Sequence, residues 1–480
     1  MKFLAHPILF TLVVALWLAT PFDSSAQSRR VRPGSTASQP VARDSGPSAK
    51  ALYMEANDYA DKQVAEMKRK QKPLSRTRLK EILLEQQRLA VRNATQLSGR
   101  ADLKGEDLYY LGMLYALAEN EDATIETMKR FLDEQPERDE LAQTARGYLA
   151  ISYARGRLFD EAEQALKDFL DRKPVTARNR TLFEKEMAYS YRMAGKPERA
   201  AAHGEEAFKA AKLLLVDAGT DSSVETEIFD AGDELATIYT LMKQTARAAA
   251  TLEELRRISL DLQAPDYYRA ETTKLVNLLV DGGRKAEAVK LINDSLVSVS
   301  EGVKNSDLRG VIKDYLKDKQ RHLRVQGELA PDLIIAKWID QQPVRLADLR
   351  GKVVLLDFWA FWCPPCLDSF PDLNTWHEDY KDKGLVVIGV TKFYGHAGGM
   401  DVDENAELVF LKRFKAGYRL QYGVAVAEKD YNHKNYGVES IPTTVLIDRR
   451  GVVRFMETGS GGNEDEIAAA IERLVNEPSQ

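Results

Sequence analysis

Phe358-Trp359-Ala360-Phe361-Trp362-Cys363-Pro364-Pro365-Cys366 closes an apolar, β-prone run that starts at Val353, and it holds the only two cysteines of the 480-residue chain. Two thiols separated by two residues, where a strand hands over to a helix, read as a redox-active pair. Cys363 falls at the mouth of that helix, where unpaired N–H groups and the positive dipole end favour a thiolate. The thiolate is the attacking species in thiol–disulfide exchange, and Cys366 is placed to resolve the mixed disulfide. A structural zinc site needs about four ligands, and no second cysteine pair supplies them. A structural staple gains little, because closing so short a loop removes little chain entropy.

Working outward from this stretch, short apolar runs alternate with helical patterns from about Gly327 onward. Val353–Phe358, Leu385–Val390, Thr443–Ile447 and Val452–Phe455 read as strands, and the alternation implies an α/β sheet layered with helices. A hairpin-like start, Leu333–Ile335 followed by Lys337–Val344, is expected ahead of the first core strand.

Upstream, from about Ala49 to Leu323, apolar residues recur at three- and four-residue spacing and the pattern is helical nearly throughout. Leu108, Leu111, Gly112 and Tyr115, then Met128, Phe131 and Pro136, resemble the tetratricopeptide (TPR) pattern. Ala150, Tyr153, Ala162, Leu166, Phe169 and Pro174 repeat it, as do Ala188, Tyr191, Gly195, Ala200 and Ala207. Weaker copies run through Ala236, Tyr239, Ala248 and Leu252, and through Gly283, Ala288 and Ile292. The small residues at 162, 200, 248 and 288 are spaced 38, 48 and 40 apart, against the usual ~34. The reading is a divergent TPR-like solenoid of about five helix pairs, whose concave face would bind an extended peptide or partner protein. A generic helical bundle acting as a spacer is the plainer alternative. The sequence suggests no convergent His, Cys or carboxylate cluster here; His203 and His322 are expected at the surface, and the Glu and Lys residues on solvated helix faces.

At the amino end, Lys2, the apolar stretch Ile8–Ala19 and Ser24-Ser25-Ala26 read as a secretion signal cleaved before Gln27. An uncleaved anchor is the alternative, although so few apolar residues are short for a membrane span. Residues 27–48, rich in Ser, Pro, Gly and Arg, read as a disordered tether. The expected order is thus a signal (1–26), a tether (27–48), an all-α TPR-like domain (49–323) and an α/β domain (328–476). Net charge is −5 with mixed signs, which argues against a nucleic-acid binder. Export, to the periplasm or an equivalent compartment, would place the cysteine pair where disulfides persist.

The carboxy-terminal region resembles the TlpA/ResA branch of the thioredoxin superfamily. The resemblance rests on ordered blocks: Ala330-Pro331-Asp332, Leu346 to Leu356, Trp362 to Cys366, Gly384 to Val390, Tyr436 to Thr444, and Leu446 to Gly451. It implies a multidomain protein in which the all-α TPR-like solenoid precedes a thioredoxin-like α/β fold. It also implies thiol–disulfide oxidoreductase activity on protein disulfide clients, an upstream membrane electron donor, and no cofactor beyond the redox-active disulfide. Carried onto this chain, Cys363 is the nucleophile and Cys366 the resolving thiol. Pro442 aligns with the family's cis-proline, which lets the backbone of Ile441 pair with an extended substrate. Trp362, Ile441 and Pro442 are the expected client-contacting residues. Pro371 aligns with the kink of the active-site helix.

Asp357 matches the buried aspartate of thioredoxin, and burial beneath the cysteines would raise its pKa so that it accepts the proton of Cys366. A buried polar group satisfied by backbone is the alternative for Asp357. Ser369 stands where the family commonly has Glu, with Asp368 beside it, which leaves any role of that Glu to Asp357 or to nothing. Neither Pro364 nor Pro365 has an N–H, so the first downstream backbone donor for the Cys363 sulfur is Cys366. A thiolate with so few donors points to a reductant or isomerase.

Two rival functions are a scaffold, with the redox module as a binding platform, and a thiol peroxidase. The residues before Cys363 do not supply the Pro-x-x-x-Thr/Ser-x-x-Cys arrangement of the latter. Tyr394–Gly399 reads as a loop inserted beside the redox site; His377, His396 and His433 are not expected to bind metal, and His377 and His433 are expected at the surface.

Overall fold

The computed structural model describes residues 46–70, 76–134, 140–217, 222–459 and 464–477. The expected signal, and all of the expected tether before residue 46, lie outside the described residues. No helix among the described residues is long and apolar enough to cross a membrane.

The chain divides into two compact units, one of residues 1–70 and 80–231, the other of 71–79 and 232–480. Among its described residues the regular elements of the first are helices: α1 (Ala49–Asn57), α2 (Tyr59–Arg69), α3 (Arg76–Ser98), α4 (Glu106–Leu117), α5 (Glu121–Glu134), α6 (Glu140–Arg155), α7 (Phe159–Asp171), α8 (Ala177–Met193), α9 (Pro197–Asp217) and the start of α10 (Ser222–Leu241). Ser48 caps α1 by accepting from the Ala51 N–H at 3.2 Å, which satisfies one of the donors a helix start leaves open. On α7 the buried residues are Ala162, Leu166 and Phe169, one stripe at helical spacing.

The turns between α4 and α5, α6 and α7, and α8 and α9 share one form. The carbonyls of Tyr115, Tyr153 and Tyr191 accept from the amides of Asn120 (3.0 Å), Leu158 (2.8 Å) and Lys196 (2.9 Å). Glu119, Arg157 and Gly195 take positive φ at these turns, as helix C-termini require. Gly147 on α6 lies against the Phe183 ring of α8, where a Cβ has no room.

The second unit includes the end of α10 and four further helices, α11 (Thr245–Asp261), α12 (Pro265–Asp281), α13 (Lys285–Gly302) and α14 (Ser306–His322). Next come β1 (Lys337–Ile339), β2 (Val353–Phe358), α15 (Pro364–Tyr380), β3 (Leu385–Lys392), the two-residue strands β4 (His396–Ala397) and β5 (Met400–Asp401), and α16 (Glu404–Gly417). The chain closes with β6 (Gly423–Ala427), α17 (Tyr431–Tyr436), β7 (Thr443–Ile447), β8 (Val453–Thr458) and α18 (Glu464–Asn476).

The main sheet has the order β1-β6-β3-β2-β7-β8. β2, β3 and β6 run parallel, while β7, β8 and β1 are antiparallel to their neighbours. Every residue of β2 is buried, as expected of a central strand covered on both faces. Its side chains alternate: Val353 and Leu355 join Phe370, Leu373, Trp376, Leu411 and Ile471 beneath the helices α15, α16 and α18. Val354, Leu356 and Phe358 face Leu346, Tyr436 and Val438 on the other side.

Two expectations are corrected. The opening hairpin does not form: β1 pairs with the distant β6, and Ile334 is instead held by the Asn432 side chain at 2.8 and 3.0 Å. The main part of the compact second unit begins at Gly232, and within it α12 and α14 bury polar groups against β8. Lys319 Nζ donates to Met456 O (2.8 Å) and Glu457 Oε2 (2.6 Å), and Thr273 Oγ1 donates to the same carboxylate oxygen at 2.9 Å.

Finally, the histidines and carboxylates are not all surface groups. His203, His322 and His433 are buried, as are Glu184, Lys185, Glu186, Glu227 and Glu271, and His377 and His396 are half-buried. The helical segment does contain convergent charges, since His203 Nδ1 lies 2.7 Å from Glu184 and Nε2 3.2 Å from Glu163.

Candidate active site

β2 delivers the chain into the turn Trp359–Trp362, and Cys363 becomes the N-cap of α15. Pro364 and Pro365 occupy the first helical positions, where a missing N–H costs nothing. The sulfur of Cys363 accepts the Cys366 N–H at 3.3 Å. The two cysteines are joined as a disulfide with Cα atoms 5.3 Å apart. Cys366 is fully buried and Cys363 is 4% exposed. Pro371 lies inside α15.

The Ile441–Pro442 peptide is cis, and it faces the disulfide: the carbonyl oxygen of Ile441 lies 3.8 Å from Cys363 Sγ. Ile441 is half-buried against both core layers. Trp362 is 50% exposed and meets the Tyr394 ring edge-to-face at 5.4 Å. Phe361 contacts Tyr394, His396 and Phe410. The inserted loop therefore lies beside the redox turn, with β4 and β5 forming a small flap.

Asp357 points from β2 into the layer beneath α15, on the side of the cysteines. It is 1% exposed, and burial raises its pKa to about 7. Among the described residues no group donates to its Oδ2. Its register neighbours are Gly389 on β3 and Thr444 on β7; Gly389 leaves room for the Trp359 indole. Asp368 is exposed, and Ser369 donates its hydroxyl to the Cys366 carbonyl at 2.9 Å. Asp357 is thus the carboxyl set into the core on this side of the pair.

The structure adds residues that sequence reasoning missed. Glu407, fully buried at the start of α16, accepts from the N–H groups of Tyr394 (2.8 Å) and Gly395 (2.9 Å) and so pins the flap. Gly459 donates to the Pro442 carbonyl at 2.9 Å. Neither had a signal in the sequence beyond the loop at Tyr394–Gly399, since Glu407 reads as one more polar residue on a helix. Among the described residues no group of His, Cys, Asp and Glu is arranged to hold a metal ion.

Residues 326–456 match the AhpC/TSA family. A thiol-disulfide oxidoreductase ResA from Geobacillus kaustophilus is 31% identical over 139 residues, which are 29% of this chain and 72% of that protein. The chain belongs to the ResA-type thiol-disulfide oxidoreductase family. A ResA from Bacillus thuringiensis subsp. konkukian is 33% identical over 127 residues, 26% of this chain. The chain spans 66% of the length of that relative. Among solved structures, a putative thiol:disulfide interchange protein DsbE from Chlorobium tepidum is 31% identical, covering 31% of this chain and 96% of its own, with a TM-score of 0.26. The AhpC/TSA match over residues 326–456 includes Cys363, Cys366, Asp357 and Pro442.

Proposed function

We propose that this protein is an exported thiol–disulfide oxidoreductase that reduces disulfides in client proteins. The observation that carries the reading is the pairing of the Cys363 sulfur with the Ile441 carbonyl at 3.8 Å, next to a half-exposed Trp362. A client strand laid against Ile441 brings its own disulfide to Cys363. In the reduced protein the Cys363 thiolate attacks one client sulfur, forming a mixed disulfide and releasing the other client sulfur as a thiolate. Cys366 then gives its proton to the Asp357 carboxylate and attacks Cys363 Sγ. This regenerates the Cys363–Cys366 disulfide and releases the second client thiolate, so two electrons pass from protein to client. A carboxyl with its pKa near 7 is matched to that proton transfer at neutral pH.

The direction follows from the shortage of donors at Cys363. One N–H reaches the sulfur, and the two prolines offer none. A thiolate so weakly supported leaves the dithiol reducing. Each turnover consumes the dithiol, so an upstream electron donor at the membrane must restore it. The helical segment is read as a TPR-like arm that docks partner proteins, and the amino-terminal segment as the export signal that sends the protein to the periplasm.

The test is the reduction potential of the Cys363–Cys366 pair together with reduction of insulin disulfides. A potential near or below about −200 mV supports the reductase, and one near about −120 mV overturns it in favour of an oxidant.

A further inference from the structure

The last residues of α14 reach the loop that carries the cis-proline. Arg321 pairs with Glu439 at 3.3 Å. One residue on, His322 begins a chain of hydrogen bonds: Nε2 to Thr458 Oγ1 (3.3 Å), Thr458 Oγ1 to Thr443 Oγ1 (2.9 Å), and Thr443 Oγ1 to the Ser440 carbonyl (2.7 Å). Each link has one possible polarity. A carbonyl only accepts, so Thr443 spends its single proton on Ser440 and must accept from Thr458. Thr458 then has no proton left for the imidazole and must accept from it. His322 therefore carries its hydrogen on Nε2 and donates. The ring is 2% exposed, and the same α14 helix walls a pocket of about 210 Å³ with Ser440 and Gly459 on its other side.

We propose that His322 is a positioning residue for client binding: through Thr458 and Thr443 it fixes the Ser440 carbonyl, and with it the backbone of Ile441 that faces Cys363. This rests on the reading of Ile441 as the client-pairing backbone. The ring touches neither cysteine nor client; it is the donor at the head of three hydrogen bonds that end at the residue before Ile441. A segment outside the redox module thereby tunes how firmly the module holds its client. The neutral state of the ring agrees, since burial and the nearby Lys319 and Arg321 cations lower its pKa to about 3.

The experiment compares His322→Leu, which removes the donor, with His322→Gln, which keeps an N–H, in the full chain. Thr458→Val breaks the same chain from the other end and serves if the leucine variant folds poorly. Insulin reduction driven by dithiothreitol gives KM and kcat, and hydrogen exchange reports the amides of Glu439–Ile441. With His322→Leu, KM for insulin rises about five-fold with kcat little changed, as loss of one hydrogen bond implies. Exchange at the loop quickens, and His322→Gln restores both. Unchanged KM and exchange in His322→Leu and Thr458→Val overturn the proposal, as does an equal fall in the reduction of a small aromatic disulfide. If the unsubstituted chain reduces no disulfide, the oxidoreductase reading fails. The exchange rates then decide the role of His322 alone: faster loop exchange with Leu but not with Gln supports it, and equal rates overturn it.

Discussion

Lys319 Nζ sits 2.6 Å from Glu457 Oε2, and both side chains are almost fully buried. The pair joins the last helix of the α-rich segment to β8, and Thr273 and the Met456 carbonyl complete its hydrogen bonds. Breaking a buried pair from one side leaves an uncompensated charge. Lys319→Met should therefore cost about 3–5 kcal/mol of stability, while Lys319→Met with Glu457→Leu should recover most of that loss. Denaturant midpoints of the two variants check this. A double variant no better than the single one would mean that the packing, not the charge, is what α14 supplies.

Asp357 makes the opposite contribution. Burial lifts its pKa to about 7 in the folded protein, against about 4 in the unfolded chain. Below about pH 4 both states hold the proton and the group is neutral toward folding. Between about pH 4 and 7 the unfolded chain releases a proton that the folded one keeps, so stability falls as pH rises and the loss is complete above the folded pKa. Asp357→Asn should thus raise stability at pH 8 by on the order of 2–4 kcal/mol. It should also slow release of the client from the mixed disulfide and remove a step near pH 7 from the rate profile. Melting curves at pH 4 and pH 8, beside single-turnover kinetics, measure both effects.

What could be read from the sequence was what local pattern decides. β2 and β7 fall at the residues expected, because each holds a run of β-branched or aliphatic residues, Val353–Leu356 and Thr443–Ile447. The turn into Cys363 was legible from the cysteine spacing after the strand, and the cis-proline Pro442 from the resemblance of the surrounding residues to the TlpA/ResA branch. β6 was not, since Gly423-Val-Ala-Val-Ala has small side chains and owes its strand to the neighbours on either side, β3 and β1. His203 escaped because its partners come from other helices: Glu184 and Glu163 reach it from α8 and α7. No spacing along one helix shows such a meeting.

His203 supplies a pH effect in the first unit. Burial disfavours the imidazolium, but the hydrogen bond and charge of Glu184, with those of Glu163, outweigh it and raise the pKa. A raised folded pKa contributes stability that is fully present below the unfolded value of about 6.5 and is lost as pH rises through the folded value. The ring also stacks on Tyr191 at 5.4 Å. The melting temperature of the chain should fall on going from pH 6 to pH 9, and His203→Gln should flatten that part of the profile. An unchanged profile in the variant would show that the carboxylates find another cation.

Glu407 gives a prediction about the flap. Its carboxylate accepts from two consecutive backbone N–H groups, Tyr394 and Gly395, and is itself fully buried. Asp403 caps the helix that presents it, accepting from Ala406 N at 2.8 Å, so the carboxylate is held in place from its own backbone. Replacing it with Ala leaves both partly buried amides without that acceptor, at about 1 kcal/mol for each lost bond. The loop relieves that cost by opening to water, and Tyr394 then leaves the Trp362 ring. Glu407→Ala should raise KM for a protein client while leaving reduction of a small disulfide close to the starting rate, and Glu407→Gln, which keeps one acceptor, should lie between. If small and large disulfides lose rate equally in Glu407→Ala, the flap supports the cysteine turn itself rather than the client.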